Sequence, residues 1–215
     1  MIVIPAFNEQ MTIGQVVAVA KSCSLVNEVV VVSDGSTDDT VAEATKAGAR
    51  VLAMKENVGK GGAMKIGIDN TDSDVVLFLD ADLIGLTKQQ VSLLLAPVLA
   101  GEVSVSIGIF AHGRIMTDFA QMITPFLSGQ RAITRKLLNE IPDFSDSGWG
   151  VEVALSRYIE ENNILTAEVI LDNVTQVTKE EKIGLYKGLL SRLQMYFVIL
   201  KKIYTMKIGD KNSSS

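Results

Sequence analysis

The stretch Val75-Val76-Leu77-Phe78-Leu79-Asp80-Ala81-Asp82 constrains this chain more than any other. A continuous apolar run that ends abruptly in carboxylates reads as a strand buried on both faces, the kind found in parallel, helix-covered sheets. In an open α/β sheet, ligands bind beyond the carboxyl ends of the strands, where Asp80 and Asp82 stand. On a continuing strand these two side chains share a face and can converge on one divalent cation, or on a sugar hydroxyl beside it. Hard oxygen donors suit Mg2+ or Mn2+, which keep positions open for phosphate oxygens. Spacing alone does not single the pair out, because Asp72 and Asp74 repeat it. Those two precede the strand and read as a solvated turn. Capping of the next helix is the competing reading of Asp80 and Asp82, since Asp is a favoured N-cap residue.

The same strand-to-helix alternation recurs through the first half. Ile2 to Phe7 is an apolar run broken by Pro5, a residue tolerated at a strand end. Asn8-Glu9 then leads into a helical pattern through Ile13, Val16, Val17 and Ala20. Glu9 at this turn suits a helix N-terminus as well as it suits a ligand. Val29 to Val32 is a second buried strand. The Ser33–Thr40 loop after it carries Asp34 and Gly35 and lets a ligand approach closely, while Thr37 or Asp38 can cap a helix from about Val41 to Ala47. A third strand, Arg50 to Met54, runs into Asn57-Val58-Gly59-Lys60-Gly61-Gly62-Ala63, a glycine-rich turn able to meet phosphate with backbone amides and one ammonium. It has neither the P-loop frame nor the dinucleotide fingerprint. Thr87 to Leu99 is an amphipathic helix, and Val103, Val105, Ile107 and Ile109 share one face of a fifth strand. Repeated βα units predict an α/β fold with a mainly parallel sheet covered by helices, residues 1–110 forming the nucleotide-binding half.

After Phe110 the texture changes. Ala111-His112-Gly113-Arg114 is a turn holding the only histidine, and the loosely patterned segment to Phe126 reads as mobile or ligand-ordered. Ser128 to Ile133 suits a short strand, Thr134 caps a helix to Glu140, and Ser147-Gly148-Trp149-Gly150 introduces a helix from Val151 to about Glu161. Glu152 falls in its first turn, where the helix dipole stabilises an acid. Thr166 to Leu171 is another strand. Lys182 to Lys207 reads as a long basic amphipathic helix, too interrupted by charge to span a bilayer but suited to peripheral membrane contact, homodimerisation or packing. A polar tail, Asp210 to Ser215, reads as disordered. The expected division is 1–110, a smaller acceptor region at 111–181, and the C-terminal helix and tail at 182–215.

Twenty basic against 25 acidic residues give a net charge of −5, which disfavours nucleic acid as a partner. One cysteine, Cys23, excludes an intrachain disulfide and a cysteine-rich metal site, so a reducing compartment is the default. No leader or anchor pattern opens the chain, and a cytoplasmic location is expected, with membrane association open through the last helix.

Together, Ile4-Pro5-Ala6-Phe7-Asn8-Glu9, Val32-Ser33-Asp34-Gly35-Ser36-Thr37-Asp38, Asn57-Val58-Gly59-Lys60-Gly61 and Leu79-Asp80-Ala81-Asp82 resemble, in order and spacing, the motifs of glycosyltransferase family 2, whose fold is called GT-A. The resemblance implies that Pro5, Phe7 and Glu9 border a nucleotide base and Asp34 holds its ring. It places Lys60 near the base or diphosphate, Asp80 on the ribose and Asp82 on the metal. In the second half, His112 to Thr117, Leu127 to Arg131 and Gly148 to Glu152 resemble the acceptor side of glucosyl-3-phosphoglycerate synthases. That implies Gly113, Arg114, Thr117 and Gly129 at an acidic acceptor and Glu152 near the reacting centre, although Thr117 is displaced by one residue from the pattern. Where relatives often carry a metal-binding histidine, this chain has Gln176, which offers a cation only a neutral carbonyl oxygen.

The activity so implied is metal-dependent transfer of a hexose from a nucleoside diphosphate sugar, UDP-glucose-like, to a small acidic acceptor such as a phosphoglycerate. Glu152 and Asp82 are the catalytic candidates. An inverting reaction needs a base facing the acceptor and a retaining one can use the glutamate electrostatically, and both stay open. Alternatives are a polyprenyl phosphate acceptor at the membrane, or nucleotide-sugar binding without turnover, which Gln176 motivates.

Overall fold

The computed structural model describes residues 1–111, 128–145 and 150–177. Met1–Gln176 form one compact unit; Val177–Ser215 form a second, of which only Val177 is described.

The first half alternates as its sequence dictates: β1 (Ile2–Ala6), α1 (Ile13–Ser22), β2 (Val29–Ser33), α2 (Thr40–Lys46), β3 (Arg50–Ala53), α3 (Gly59–Asp69), β4 (Val75–Phe78), β5 (Leu83–Ile84), α4 (Lys88–Leu99) and β6 (Val105–Phe110). Then follow β7 (Arg131–Thr134), α5 (Arg135–Glu140), α6 (Val151–Glu161), β8 (Thr166–Leu171) and β9 (Thr175–Gln176). The main sheet has the order β3-β2-β1-β4-β7-β6-β8. Only β7 runs against its neighbours, antiparallel to β4 and β6, so the sheet is mainly parallel.

Strand periodicity sorts the core into two layers. Ile2, Ile4 and Ala6 pack with Ile13, Val16 and Val17 of α1 and Val91, Leu94 and Leu95 of α4. Val3, Val30 and Val32 point the other way, onto Ala63, Met64 and Ile68 of α3, Leu137 and Leu138 of α5, and Val151, Leu155 and Ile159 of α6. Each fully buried aliphatic side chain contributes about 1.5–3 kcal/mol relative to exposure, so strands like β2, buried at every position, anchor the sheet. Local chemistry sets the helix starts. Thr87 and Gln90 form a reciprocal capping box on α4, and the Thr134 hydroxyl accepts the Leu137 amide of α5 at 3.3 Å. On α2 the N-cap is Asp39, without a side-chain cap, while Asp38 Oδ1 accepts the Thr40 amide at 3.0 Å.

One expectation fails in detail. The fourth strand stops at Phe78, so Asp80 and Asp82 do not share the face of a continuing strand. The ladder ends there on both sides: β7 begins with Arg131 opposite Phe78, and on β1, which runs on to Ala6, the Leu79 amide still donates to the Val3 carbonyl at 3.2 Å but Pro5 has no N–H to return. The chain turns through Ala81-Asp82 into β5, which pairs antiparallel with β9 in a separate two-stranded ribbon, Leu83 facing Gln176. That ribbon, and the insertion of antiparallel β7 between β4 and β6, were not expected from sequence.

Among the described residues no helix is long and apolar enough to cross a membrane. The readings made for His112, Gly113, Arg114 and Thr117, for the segment to Phe126, for Ser147-Gly148-Trp149, for the helix 182–207 and for the tail lie outside the described residues.

Candidate functional site

Parallel strands deliver the loops after β1, β2 and β4 to one edge of the sheet, and β7, running the opposite way, delivers its first residue there. The loops after β1 and β2 lock together. Asn8, at φ 56°, accepts the Thr37 amide on Oδ1 at 2.8 Å, and its own amide donates to Ser36 Oγ at 3.1 Å. The Glu9 amide donates to Thr40 Oγ1 at 2.8 Å, while the Glu9 carbonyl accepts the amides of Thr12 and Ile13 as α1 begins. Glu9 itself is half-buried. Pro5 lies within β1 opposite Val32, and Phe7 beyond it leaves 48% of its surface exposed.

Asp34 is buried, and its Oδ1 accepts the Val58 amide at 2.6 Å, fixing the glycine-rich turn to the end of β2. The Asn57 side chain reinforces this by donating to the Asp34 carbonyl at 3.1 Å. Gly35 makes the approach possible: its φ is +70°, and a Cβ there would lie 2.9 Å from the Asn57 nitrogen. The turn so held starts α3 and aims Lys60 across the site.

Lys60 joins the two halves of the chain. Its Nζ lies 2.5 Å from Asp80 Oδ1 and also forms an ion pair with Glu152 in the first turn of α6. The three side chains are 18%, 13% and 11% exposed, which makes this a largely desolvated bridge rather than a surface pair. The other Asp80 oxygen, Oδ2, accepts Gln130 Nε2 at 2.7 Å and Gln176 Nε2 at 2.6 Å. Burial works to raise the Asp80 pKa, but the Lys60 charge and these hydrogen bonds prevail and hold it below the usual carboxylate value. Burial likewise works to lower the Lys60 pKa, and the charges of Asp80 and Glu152 overcome it, holding the ammonium above the usual lysine range. Gly129 lies beneath the same carboxylate: a Cβ at this position would sit 2.5 Å from Asp80 Oδ1 and 2.6 Å from Oδ2.

Two participants were absent from the candidates chosen on sequence, Gln130 and Arg131. Arg131 is 1% exposed, donates from Nε to the Ser128 carbonyl at 2.8 Å and from Nη2 to Ser156 Oγ at 2.7 Å. Burial pushes its pKa down to about 10, opposed by the charges of Glu152 and Asp80, so it stays a cation at neutral pH. A usable signal was present in the sequence: a charged residue opening a short buried strand must find compensation for its desolvation nearby.

Among the described residues no group of three or more His, Cys, Asp and Glu gathers as a ready-made metal cage. Two candidate oxygen donors lie on or beside the β5–β9 ribbon. Half-buried Asp82 directly precedes β5, and the β5–β9 register puts Gln176 opposite Leu83 with its amide on Asp80. The ends of that amide exchange on a half-turn, which would present a carbonyl oxygen instead of the NH2. A carboxylate with an amide oxygen fits Mg2+ or Mn2+, leaving positions for phosphate oxygens and water.

The chain is 31% identical over 192 residues to the glucosyl-3-phosphoglycerate synthase of Mycobacterium tuberculosis, an alignment covering 72% of this chain and 58% of that protein. It thus spans well under two thirds of the length of the curated relatives it matches first. A crystal structure of the Mycobacterium tuberculosis synthase with Mn2+, UDP-glucose and phosphoglyceric acid superposes with a TM-score of 0.68 at 29% identity, over 89% of this chain and 78% of that one. The same enzyme crystallised with Mg2+ and UDP gives a TM-score of 0.67 at 29% identity, with the same coverage of both chains. The glycosyl transferase family 2 profile matches residues 1–159, the span that builds β1 to β7, the Lys60 bridge and most of α6. By that match this chain belongs to glycosyl transferase family 2.

Proposed function

We propose that the chain transfers glucose from UDP-glucose, or a closely similar nucleoside diphosphate sugar, to the hydroxyl of a small acidic acceptor such as a phosphoglycerate. The observation that carries this reading is the Lys60 bridge, in which one ammonium meets both the carboxylate after β4 and the first-turn glutamate of α6. A donor-side lysine and an acceptor-side acid in mutual contact are what a site needs if a diphosphate is to leave where a hydroxyl attacks.

In this reading Pro5, Phe7 and Glu9 border the base, Asp34 holds its ring and the turn beneath it, Asp80 holds the ribose, and Lys60 meets the diphosphate. Residues 1–110 are the donor half, and 111–181 the acceptor half, where Gly113, Arg114, Thr117 and Gly129 serve the acidic acceptor. Glu152 orients or deprotonates the acceptor hydroxyl. Asp82 and Gln176 would hold Mg2+ or Mn2+, which when bound supplies Lewis-acid stabilisation of the charge developing on the leaving diphosphate. The likeness to solved complexes with UDP, UDP-glucose, phosphoglyceric acid and both metals supports the substrate classes. A polyprenyl phosphate acceptor and binding without turnover are not favoured, because the similarity to phosphoglycerate synthases extends over 72% of the chain.

The test is UDP release from UDP-glucose with Mn2+, with and without 3-phosphoglycerate, followed by identification of the glycosylated product. Acceptor-dependent release that disappears in Asp82→Ala supports the proposal. A folded protein that UDP-glucose stabilises against heat, but that releases no UDP with any acidic acceptor, would overturn it.

A further inference from the structure

Asp80 owes its aim to its partners rather than to the sheet. The strand before it stops at Phe78, and the carboxylate stands past that end, outside any strand. Lys60, Gln130 and Gln176 donate to it, and they differ in what else they can do. Lys60 is shared with Glu152, and Gln176 lies exposed on β9. Gln130, by contrast, is 0% exposed and built in on every side. Its carbonyl accepts the Gly108 amide of β6 at 2.8 Å, its backbone amide donates to Ser128 Oγ at 3.3 Å, and the same hydroxyl lies 3.1 Å from its Oε1. Its Nε2 has to face Asp80, because the other end of the amide would bring a carbonyl oxygen against a carboxylate oxygen.

Gln176 is the opposite case. A carboxylate oxygen has two lone-pair directions, and on Oδ2 the amides of Gln130 and Gln176 take both, at 2.7 and 2.6 Å. A ligand hydroxyl that is to reach Oδ2 must displace one of them. The exposed amide can turn to water at little cost, whereas the buried one would be left unpaired and pay its full desolvation.

We infer that Gln130 is a positioning residue that fixes Asp80 to receive a ligand hydroxyl, and that the Gln176 amide occupies the hydroxyl's place until the ligand arrives. The inference rests on the transferase reading above for the ligand, the ribose of a nucleoside diphosphate. Its consequence is selectivity. A ribose hydroxyl takes over the corner of Oδ2 that Gln176 leaves, whereas a nucleotide lacking that hydroxyl leaves the amide in place and gains nothing from Asp80.

The experiment measures dissociation constants of the full chain for UDP, 2′-deoxy-UDP and 3′-deoxy-UDP by NMR titration, in EDTA so that no metal takes part. The parent is expected to hold UDP about tenfold more tightly than the deoxy form that lacks the contacted hydroxyl, the scale of one hydrogen bond to a charged group. Gln130→Met keeps the length of the side chain and loses the donor. The preference should then shrink to within about twofold, through weaker binding of UDP and little change for the deoxy form. General loosening of the fold would weaken all three nucleotides alike and leave the ratio standing. Gln176→Ala should act the other way, tightening UDP by about threefold because no amide has to be displaced.

A folded Gln130→Met chain that keeps the preference overturns the proposal, as does a Gln176→Ala chain that binds UDP no more tightly than the parent. Should Gln130→Met fail to fold, Ser128→Ala, which removes the hydroxyl beside Gln130 Oε1, and Gln176→Ala decide alone: an undiminished preference in the first, or an unaltered UDP affinity in the second, refutes it. A parent chain that binds UDP and both deoxy forms alike, or binds UDP only with Mg2+, overturns this inference and leaves the proposed transfer standing. One that binds no UDP under either condition sinks both.

Discussion

Replacing Lys60 by methionine keeps most of the side-chain volume and deletes the charge that bridges Asp80 and Glu152. Removing one partner of a buried ion pair destabilises by about 3–5 kcal/mol, because the remaining charge stays desolvated. No strong discount for solvent applies, since the three side chains are only 18%, 13% and 11% exposed. Other groups soften the loss. Asp80 keeps its hydrogen bonds from Gln130 and Gln176, and Arg131 still acts on both carboxylates, so the low end, about 3 kcal/mol, is expected. For a chain of this length that corresponds to a fall in Tm of roughly 6–12 °C. The pH dependence has a definite sign. Asp80 has a depressed native pKa, so its contribution is present above the unfolded value of about 3.9 and is lost as pH falls through the native value. Lys60 has a raised native pKa, so its contribution is present below about 10.4 and is lost as pH rises through the native value. Without the ammonium Asp80 protonates at higher pH, so the gap between the two proteins should narrow from about pH 7.5 to about pH 5. Urea unfolding of both proteins at the two pH values measures this directly. A penalty below about 1 kcal/mol, the level of exposed pairs, or one independent of pH, would refute the treatment of this bridge as buried and coupled.

Gly129→Ala would drive a methyl to 2.5 Å from Asp80 Oδ1, so a loss of about 1–3 kcal/mol on thermal unfolding is expected, with weaker UDP-glucose binding by calorimetry. Asp34→Ala removes the acceptor of the Val58 amide and should destabilise by about 1–3 kcal/mol, with faster amide exchange confined at first to the turn before α3. Gln176→Glu places a second carboxylate within hydrogen-bonding reach of Asp80, so the Tm should fall without metal and recover on addition of Mn2+, a dependence the parent chain should show more weakly.

What the sequence disclosed was local. The β2 run, the α1 face of Ile13, Val16, Val17 and Ala20, and the Thr134 cap depend on residues within a turn or two of each other, and the structure has them as expected. What it hid depends on neighbours distant along the chain. The apolar run through Leu79 looks like continuing strand, yet it stops at Phe78: β7 has no residue in the strand before Arg131, and on the β1 side the Leu79 amide still reaches the Val3 carbonyl at 3.2 Å but Pro5 has no N–H to continue the ladder. β5 and β9 are two residues each, too short for any periodicity, and exist only as partners of one another.

The candidate site divides along the same line, and the division bears on how its chemistry is shared. The resemblance to glycosyltransferase family 2 singles out Asp34, Lys60, Asp80 and Glu152 one at a time and implies a separate role for each. In the fold they are not separate: Lys60 contacts an acid 20 residues away and another 92 residues away, and the second acid sits on the helix that Arg131 grips from β7. Those two cations and two carboxylates balance, and the further ligands of Asp80, Gln130 and Gln176, are neutral amides that add hydrogen bonds without adding charge. A balanced desolvated set is sensitive to any charge brought to it, since a low dielectric strengthens each term. Under the proposed function, a diphosphate drawing on Lys60 would disturb both carboxylates together, and that mutual dependence would tie the proposed donor half to the proposed acceptor half.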